Sequence, residues 1–228
     1  MAMRVVLVVA LLGFRAAAAQ TGEVAAALGA LERDRASLAG YRWTSLVEVR
    51  LDGAVTGVER FETRRAQDGA IVATPLAVPS AAGVPRGAPR PGKRQERRVR
   101  EKQRILRELV EDYSALETER IRKAFATAIV TRGDPGQLTL IHARDVRLRG
   151  DSLKLWVEAD SLRPRRFEVL TALDGEAVRV ETEFRTLEGG PSYPARTTVS
   201  TEIKEKPLIV TTVNDDFVRE AARPERGP

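Results

Sequence analysis

The chain contains no cysteine. Disulfide scaffolds, thiol nucleophiles and thiolate metal sites are therefore excluded, and the fold must rest on its apolar core alone. There is one histidine, His142. A Ser–His–Asp arrangement would have to use that residue, yet no serine sits in a G-x-S-x-G turn, and His142 reads as an ordinary strand residue. Zinc needs several His or Cys ligands, which leaves only carboxylate sites. Asp215-Asp216 is a pair of adjacent acids, but calcium takes six or more oxygens from an organised loop, so the pair reads as a solvated turn or strand end. Glycine-rich phosphate loops, whether G-x-G-x-x-G or P-loop, are also missing. The 32 acidic residues always allow some pair of carboxylates, so their number points to no acid–base site. No catalytic residue, metal or cofactor is assigned, and the chain is read as non-enzymatic.

Long apolar runs are lacking too. Val5–Phe14 is about half the ~20 residues needed to span a bilayer. With Arg4 before it and Ala17-Ala18-Ala19 after it, this run reads as a signal peptide cleaved before Gln20, so 1–19 is a leader and the rest is exported to the periplasm. No cysteine stands beside the cleavage site to take a lipid, and no transmembrane segment is expected in the mature chain. The formal net charge is +6, of which Arg4 and Arg15 contribute two, leaving +4 without the leader. So mild a charge gives no argument for nucleic acid. Residues 20–219 are long enough for one domain, since about 150 residues already bury about two-thirds of their unfolded surface.

What is present is alternation. From Glu176 to Leu187, Val178, Val180, Thr182, Phe184 and Thr186 share one face, while Arg179, Glu181, Glu183 and Arg185 share the other. Such a period of two is a half-buried strand. Arg166–Ala172 precedes it across Leu173-Asp174-Gly175, where Asp-Gly suits a hairpin turn. Ala195, Thr197, Val199, Thr201 and Ile203 form a further alternating face after Gly189-Gly190-Pro191. Glu205-Lys206-Pro207 turns the chain into Leu208–Val213. Upstream, Ser152–Glu158 is expected to pair with Ala143–Arg149 across Gly150-Asp151. Short loops make neighbouring strands antiparallel, so this is a meander.

The run Leu155-Trp156-Val157-Glu158, a polar turn, then Pro164-Arg165-Arg166-Phe167-Glu168-Val169 resembles the strand–turn–strand of the outer-membrane lipoprotein carrier (LolA/LolB-like) superfamily. Gly189–Tyr193 to Asn214–Phe217 resembles the end of an uncharacterised periplasmic branch of it. Glu158 stands where that pattern has Asp. The resemblance covers about a third of the chain. It implies an α+β fold, a curved antiparallel unclosed half-barrel of about eight to nine strands with helices in its mouth. It carries over no binding residue.

Towards the amino terminus, Glu23–Ala39 has a helical stripe of Val24, Leu28, Leu31, Arg35 and Leu38, with Gly40 as a stop. Tyr41–Leu51 alternates, with Trp43, Val47 and Val49 on one side. Asp52-Gly53 turns it into Val55–Arg65, and Gln67-Asp68-Gly69 turns again before Ala70–Thr74. Residues 75–92 are rich in Pro, Ala and Gly and read as a flexible loop. Lys93–Arg107 carries eight basic residues and continues as a helix through Leu106, Leu109, Val110 and Tyr113. Leu116–Val130 is a second helix, stopped by Gly133-Asp134-Pro135-Gly136. The two form a lid over one face of the sheet. Residues 220–228 read as a disordered tail.

Two binding readings follow. In one, the concave face holds a lipid, an acyl chain or a lipoprotein-like ligand. Trp43, Val178, Val180, Phe184 and Val199 are then the apolar contacts, and Arg97, Arg98, Arg100 and Arg104 meet a headgroup or partner. Threonines diluting the inner face motivate this reading, since such a face is incompletely filled by a lid. In the other, the chain is a cell-envelope protein–protein interaction or sensor module with no small ligand.

Overall fold

The computed structural model describes residues 22–66, 70–77, 92–114 and 119–220. The leader, the turn at 67–69, most of the Pro-rich stretch and the tail lie outside them. Helix α1 spans residues 22–37 and passes through a 3-10 turn, Leu38–Gly40, into the first strand. The strands are β1 (Tyr41–Leu51), β2 (Ala54–Arg65), β3 (Ile71–Leu76), β4 (Ile129–Thr131), β5 (Leu138–Arg144), β6 (Ser152–Glu158), β7 (Pro164–Leu173), β8 (Glu176–Thr186), β9 (Ser192–Ile203) and β10 (Lys206–Arg219). Helices α2 (Lys93–Ser114) and α3 (Glu119–Ala126) lie between β3 and β4.

All ten strands form one antiparallel sheet in the order β3-β2-β1-β10-β9-β8-β7-β6-β5-β4. Its two edge strands do not meet, so the sheet is not closed into a barrel. The unclosed antiparallel sheet expected from the resemblance is thus the fold, with ten strands rather than eight or nine.

Turn chemistry sets much of this order. Asp52-Gly53 and Asp174-Gly175 have positive φ at both residues, 54° and 76°, then 55° and 83°. That is the primed turn whose twist suits a hairpin, and Gly accepts it without steric cost. Lys204-Glu205 does the same between β9 and β10 without a glycine. The chain therefore turns one residue earlier than Glu205-Lys206-Pro207 suggested.

Three further expectations are corrected. Ser152–Glu158 pairs with Leu138–Arg144, not with Ala143–Arg149. Residues 145–151 form a loop wound around the Asp151 carboxylate, which accepts the backbone N–H groups of Val146 at 2.6 Å, Arg147 at 2.9 Å and Leu148 at 2.9 Å. The helix read as Leu116–Val130 stops at Ala126, and Ile129–Thr131 pairs with β5. β-Branched side chains at Ile129, Val130 and Thr131 favour that strand. Finally, β3 runs through Pro75 to Leu76, where the loop was expected to begin.

The helices share one face of the sheet. Val24 and Ala27 of α1, Val99, Leu106, Leu109 and Tyr113 of α2, and Ala124 and Phe125 of α3 join one core with inward side chains from β1 and β5–β10. Alanines on the α1 stripe (Ala27 and Ala30) let that helix approach closely. Polar contacts fix the path of α2, among them Asp112 with Arg147 at 2.9 Å and Tyr113 with Thr171 at 2.9 Å. Tyr113 donates to Asp151 in the β5–β6 loop, and Lys102 pairs with Glu176 at the β7–β8 turn, 2.8 Å. Burial, then the bond to the Asp151 carboxylate, raises the Tyr113 pKa, so its hydroxyl keeps the proton it donates.

Candidate ligand-binding site

Cross-strand register divides the inner face into rows. One row runs Ala143–Leu153–Val169–Val180–Val199–Val210–Val49–Gly57 from β5 to β2. It is apolar throughout. The next row runs Ile141–Leu155–Phe167–Thr182–Thr197–Thr212–Val47–Glu59. It changes character midway: three apolar residues on β5–β7, three threonines on β8–β10, then a valine and a carboxylate.

Burial follows the same division. Ile141, Leu155 and Val169 are 0% exposed beneath the helices. Thr197, Val210, Thr212, Val47 and Phe61 are only half-buried, and Glu59 is exposed. The helical cover thus seals β5–β7 and leaves the inner side of β10, β1 and β2 partly open. Hydroxyl and amide groups of β8–β10, β1 and β2 bond to one another. Thr182 and Thr197 lie 3.1 Å apart, Ser45 and Thr63 2.9 Å apart. Ser45 donates to Asn214 Oδ1 at 2.7 Å, and Asn214 Nδ2 donates to the Pro194 carbonyl at 2.7 Å.

An aromatic cluster ends this region. Trp43 stacks on Phe217 with rings 5.3 Å apart, and Tyr193 packs on Phe217 at 4.2 Å. A register shift between β1 and β10 next to Trp43, with Asp216 at φ 52°, brings Phe217 to the tryptophan.

Of the apolar residues singled out from sequence, Val178, Val180 and Val199 are in the sealed core, Phe184 is half-buried against it, and Trp43 is in the aromatic cluster. The fold brings the three valines together and sets Trp43 apart from them. Val47, Phe61, Thr212 and Phe217 were not singled out. Their signal is register across strands, which a single strand's alternation does not contain.

On α2, Arg97, Arg98 and Arg100 are exposed, and no ion pair forms on them among the described residues. Arg104 is held by Glu101 at 2.7 Å and Glu108 at 2.5 Å. Tyr113 sits between the β5–β6 loop and Thr171 of β7, and Lys102 at the β7–β8 turn.

The outer face is polar. Glu168 is 6% exposed in its side chain and accepts bonds from Lys154 at 3.1 Å and Arg179 at 2.8 Å. Burial raises its pKa, but those two cations outweigh burial and hold it below the usual carboxylate range. A shallow groove of about 240 Å³ beside it is lined by Arg166, Glu181, Glu183, Arg196 and Thr198. His142 stands on this face opposite Lys154, and burial with Arg144 and Lys154 lowers its pKa. Asp216 meets Arg60 at 3.7 Å, while burial and Asp216 raise the pKa of Asp215. Among the described residues no group of three or more His, Cys, Asp or Glu is placed to hold a metal ion. Among them, too, no helix is long and apolar enough to cross a membrane.

No protein-family model matches the chain, and no curated protein matches it. Its structure is similar to that of a LolA superfamily protein from Nitrosomonas europaea, at 13% sequence identity and a TM-score of 0.43, covering 88% of this chain and 96% of that chain. So loose a likeness carries no argument about function, and the architecture stands on strand order and register alone.

Proposed function

We propose that the protein is an exported periplasmic binding protein without catalytic activity. It holds the apolar part of an amphiphile, a lipid or an acylated ligand, against the partly open inner face of β10, β1 and β2. The observation that supports this is the change of character along one cross-strand row, from Ile141, Leu155 and Phe167 through the buried Thr182 to Thr197, Thr212 and Val47, which are only half-buried. Apolar side chains interleaved with hydroxyls suit a chain with a polar end, and apolar contact is worth about 25 cal/mol per Å² buried. Arg97, Arg98 and Arg100 supply positive charge for an anionic headgroup. Val178, Val180 and Val199 support this surface from within the core, and Trp43 closes its end.

The test is uptake of a fluorescent fatty-acid probe by delipidated protein. Val47→Glu, at a half-buried position, should weaken binding of every acyl ligand while the fold survives. Arg97→Glu with Arg100→Glu should weaken only anionic ligands, and less so at high salt. A wild type that takes up no probe and releases no lipid on extraction sinks this reading, and an envelope interaction module without a small ligand takes its place.

A further inference from the structure

The two edges of the sheet are unlike. β4 offers three residues, whereas β3 offers six, Ile71-Val72-Ala73-Thr74-Pro75-Leu76, with no charge among them. All six are exposed, with Ile71 at 57%. Exposed edge strands are templates for further pairing, and proteins commonly blunt them with charge, shortness or an edge proline. β3 has no charge and is twice as long as β4, and its one proline, Pro75, stands near its end, leaving the Ile71 and Ala73 N–H groups ahead of it.

Hydrogen bonding shows which backbone groups are free. The Ala66 N–H donates to the Ala70 carbonyl at 2.8 Å, so these residues form a hydrogen-bonded pair. Bonded and non-bonded pairs alternate along an antiparallel ladder. In the register of β2 with β3, Arg64–Val72, Glu62–Thr74 and Arg60–Leu76 are then bonded pairs. Ile71, Ala73 and Pro75 consequently turn their backbone groups to the outer edge. The missing N–H of Pro75 costs no bond to β2, which explains why proline is tolerated in this strand.

We propose that the outer edge of β3 pairs antiparallel with β3 of a second copy of this chain, about a two-fold axis at Ala73. Ala73 and the partner's Ala73 exchange both backbone bonds. On each side the Ile71 N–H donates to the carbonyl of the partner's Pro75. A two-fold axis sets identical side chains against each other, and the residue there is a small alanine. Ile71 falls beside the partner's Pro75 and Val72 beside the partner's Thr74. In a chain of net charge +6, this segment brings no like charges together. The contact is small, so association is weak and concentration-dependent. It is independent of the amphiphile reading.

The test is sedimentation velocity of the purified protein from low micromolar to near-millimolar concentration, with residue-resolved amide exchange. Expected is a reversible monomer–dimer equilibrium in which the Ile71 and Ala73 amides slow as concentration rises, while Val72 and Thr74, already bonded to β2, do not change. Ala73→Pro removes the central outward donor without removing a bond to β2, and should abolish association with the circular dichroism intact. Ala73→Lys sets two cations at the axis and should do the same should the proline variant fail to fold. A wild type that stays monomeric across the range overturns the proposal, as does a dimer that persists in a folded Ala73 variant.

Discussion

The inner sides of β5–β7 and of β10, β1 and β2 belong to one sheet but are built differently. On β5 and β6 the inward positions Ile141, Ala143, Leu153, Leu155 and Val157 are all at 0% exposure. On β10, β1 and β2 the corresponding positions include Thr212, Val47 and Glu59, none of them fully buried. The first region specifies the fold, because close-packed apolar side chains leave no room for error. The second keeps hydroxyls that add little apolar burial and must find partners. One sheet thus carries a sealed part and a partly open part.

The sharpest way to break that comparison is one truncation in each half. Leu155→Ala should cost about 3–5 kcal/mol, the upper part of the range for a fully buried leucine. Val47→Ala, half-buried and with fewer neighbours to leave a cavity among, should cost under about 1 kcal/mol. Urea melts of both variants read the difference directly. Equal losses would mean that the open half is sealed in solution.

Asp151 comes next in size. It anchors the 145–148 backbone and α2 at once, so Asp151→Ala should cost about 2–4 kcal/mol by leaving three backbone donors without their acceptor and the Tyr113 hydroxyl with Thr171 alone, 2.9 Å away. Tyr113→Phe, which removes the bonds of α2 to Asp151 and Thr171 and leaves the loop's backbone bonds in place, should cost about 1–2 kcal/mol. If the two variants lose the same stability, the loop does not depend on the carboxylate.

Much of this architecture was legible in the sequence, and the limits have physical causes. Alternation located β1, β7, β8 and β9, because one face of each meets a core. The Asp-Gly turns were legible because glycine at positive φ is a local requirement. Register was not legible: it belongs to pairs of strands, and shifts beside Trp43 and Phe184 lie between strands. Asp151 passed for a turn residue because its four partners are assembled by the loop it organises. Pro75 looked like a strand breaker, since which way a backbone points at an edge is decided by the hairpin. Alternation puts Phe184 on the core-facing side, but only its exposure in the folded chain shows that it is half-buried.

The outer face gives a smaller, pH-dependent contrast. Glu168 has a folded-state pKa below its unfolded one, so its contribution is present above the unfolded carboxylate pKa and lost as pH falls through the folded value. Its cation partners are partly exposed, which limits the effect to about 1–2 kcal/mol. Glu168→Gln should therefore show a shallower loss of stability than the wild type between neutral and acid pH. Parallel profiles for the two proteins would remove Glu168 from the acid transition.

The smallest expected effect bears most directly on the two halves. Thr182 and Thr197 bond to each other at 3.1 Å on the hydroxylated row, beside the apolar row of Val180 and Val199. Changing both threonines to valine keeps the branched shape and removes donor and acceptor together. Replacing both partners of a hydrogen bond by apolar groups of the same shape is close to neutral, whereas Thr182→Val alone leaves Thr197 to find water. The double variant should therefore melt within about 0.5 kcal/mol of the wild type. Neutrality would mean that the fold does not need these hydroxyls. The same variant should then bind the fatty-acid probe differently from the wild type. A double variant that loses well over 1 kcal/mol would instead make the hydroxyl row a structural element and remove the distinction between the halves at these positions.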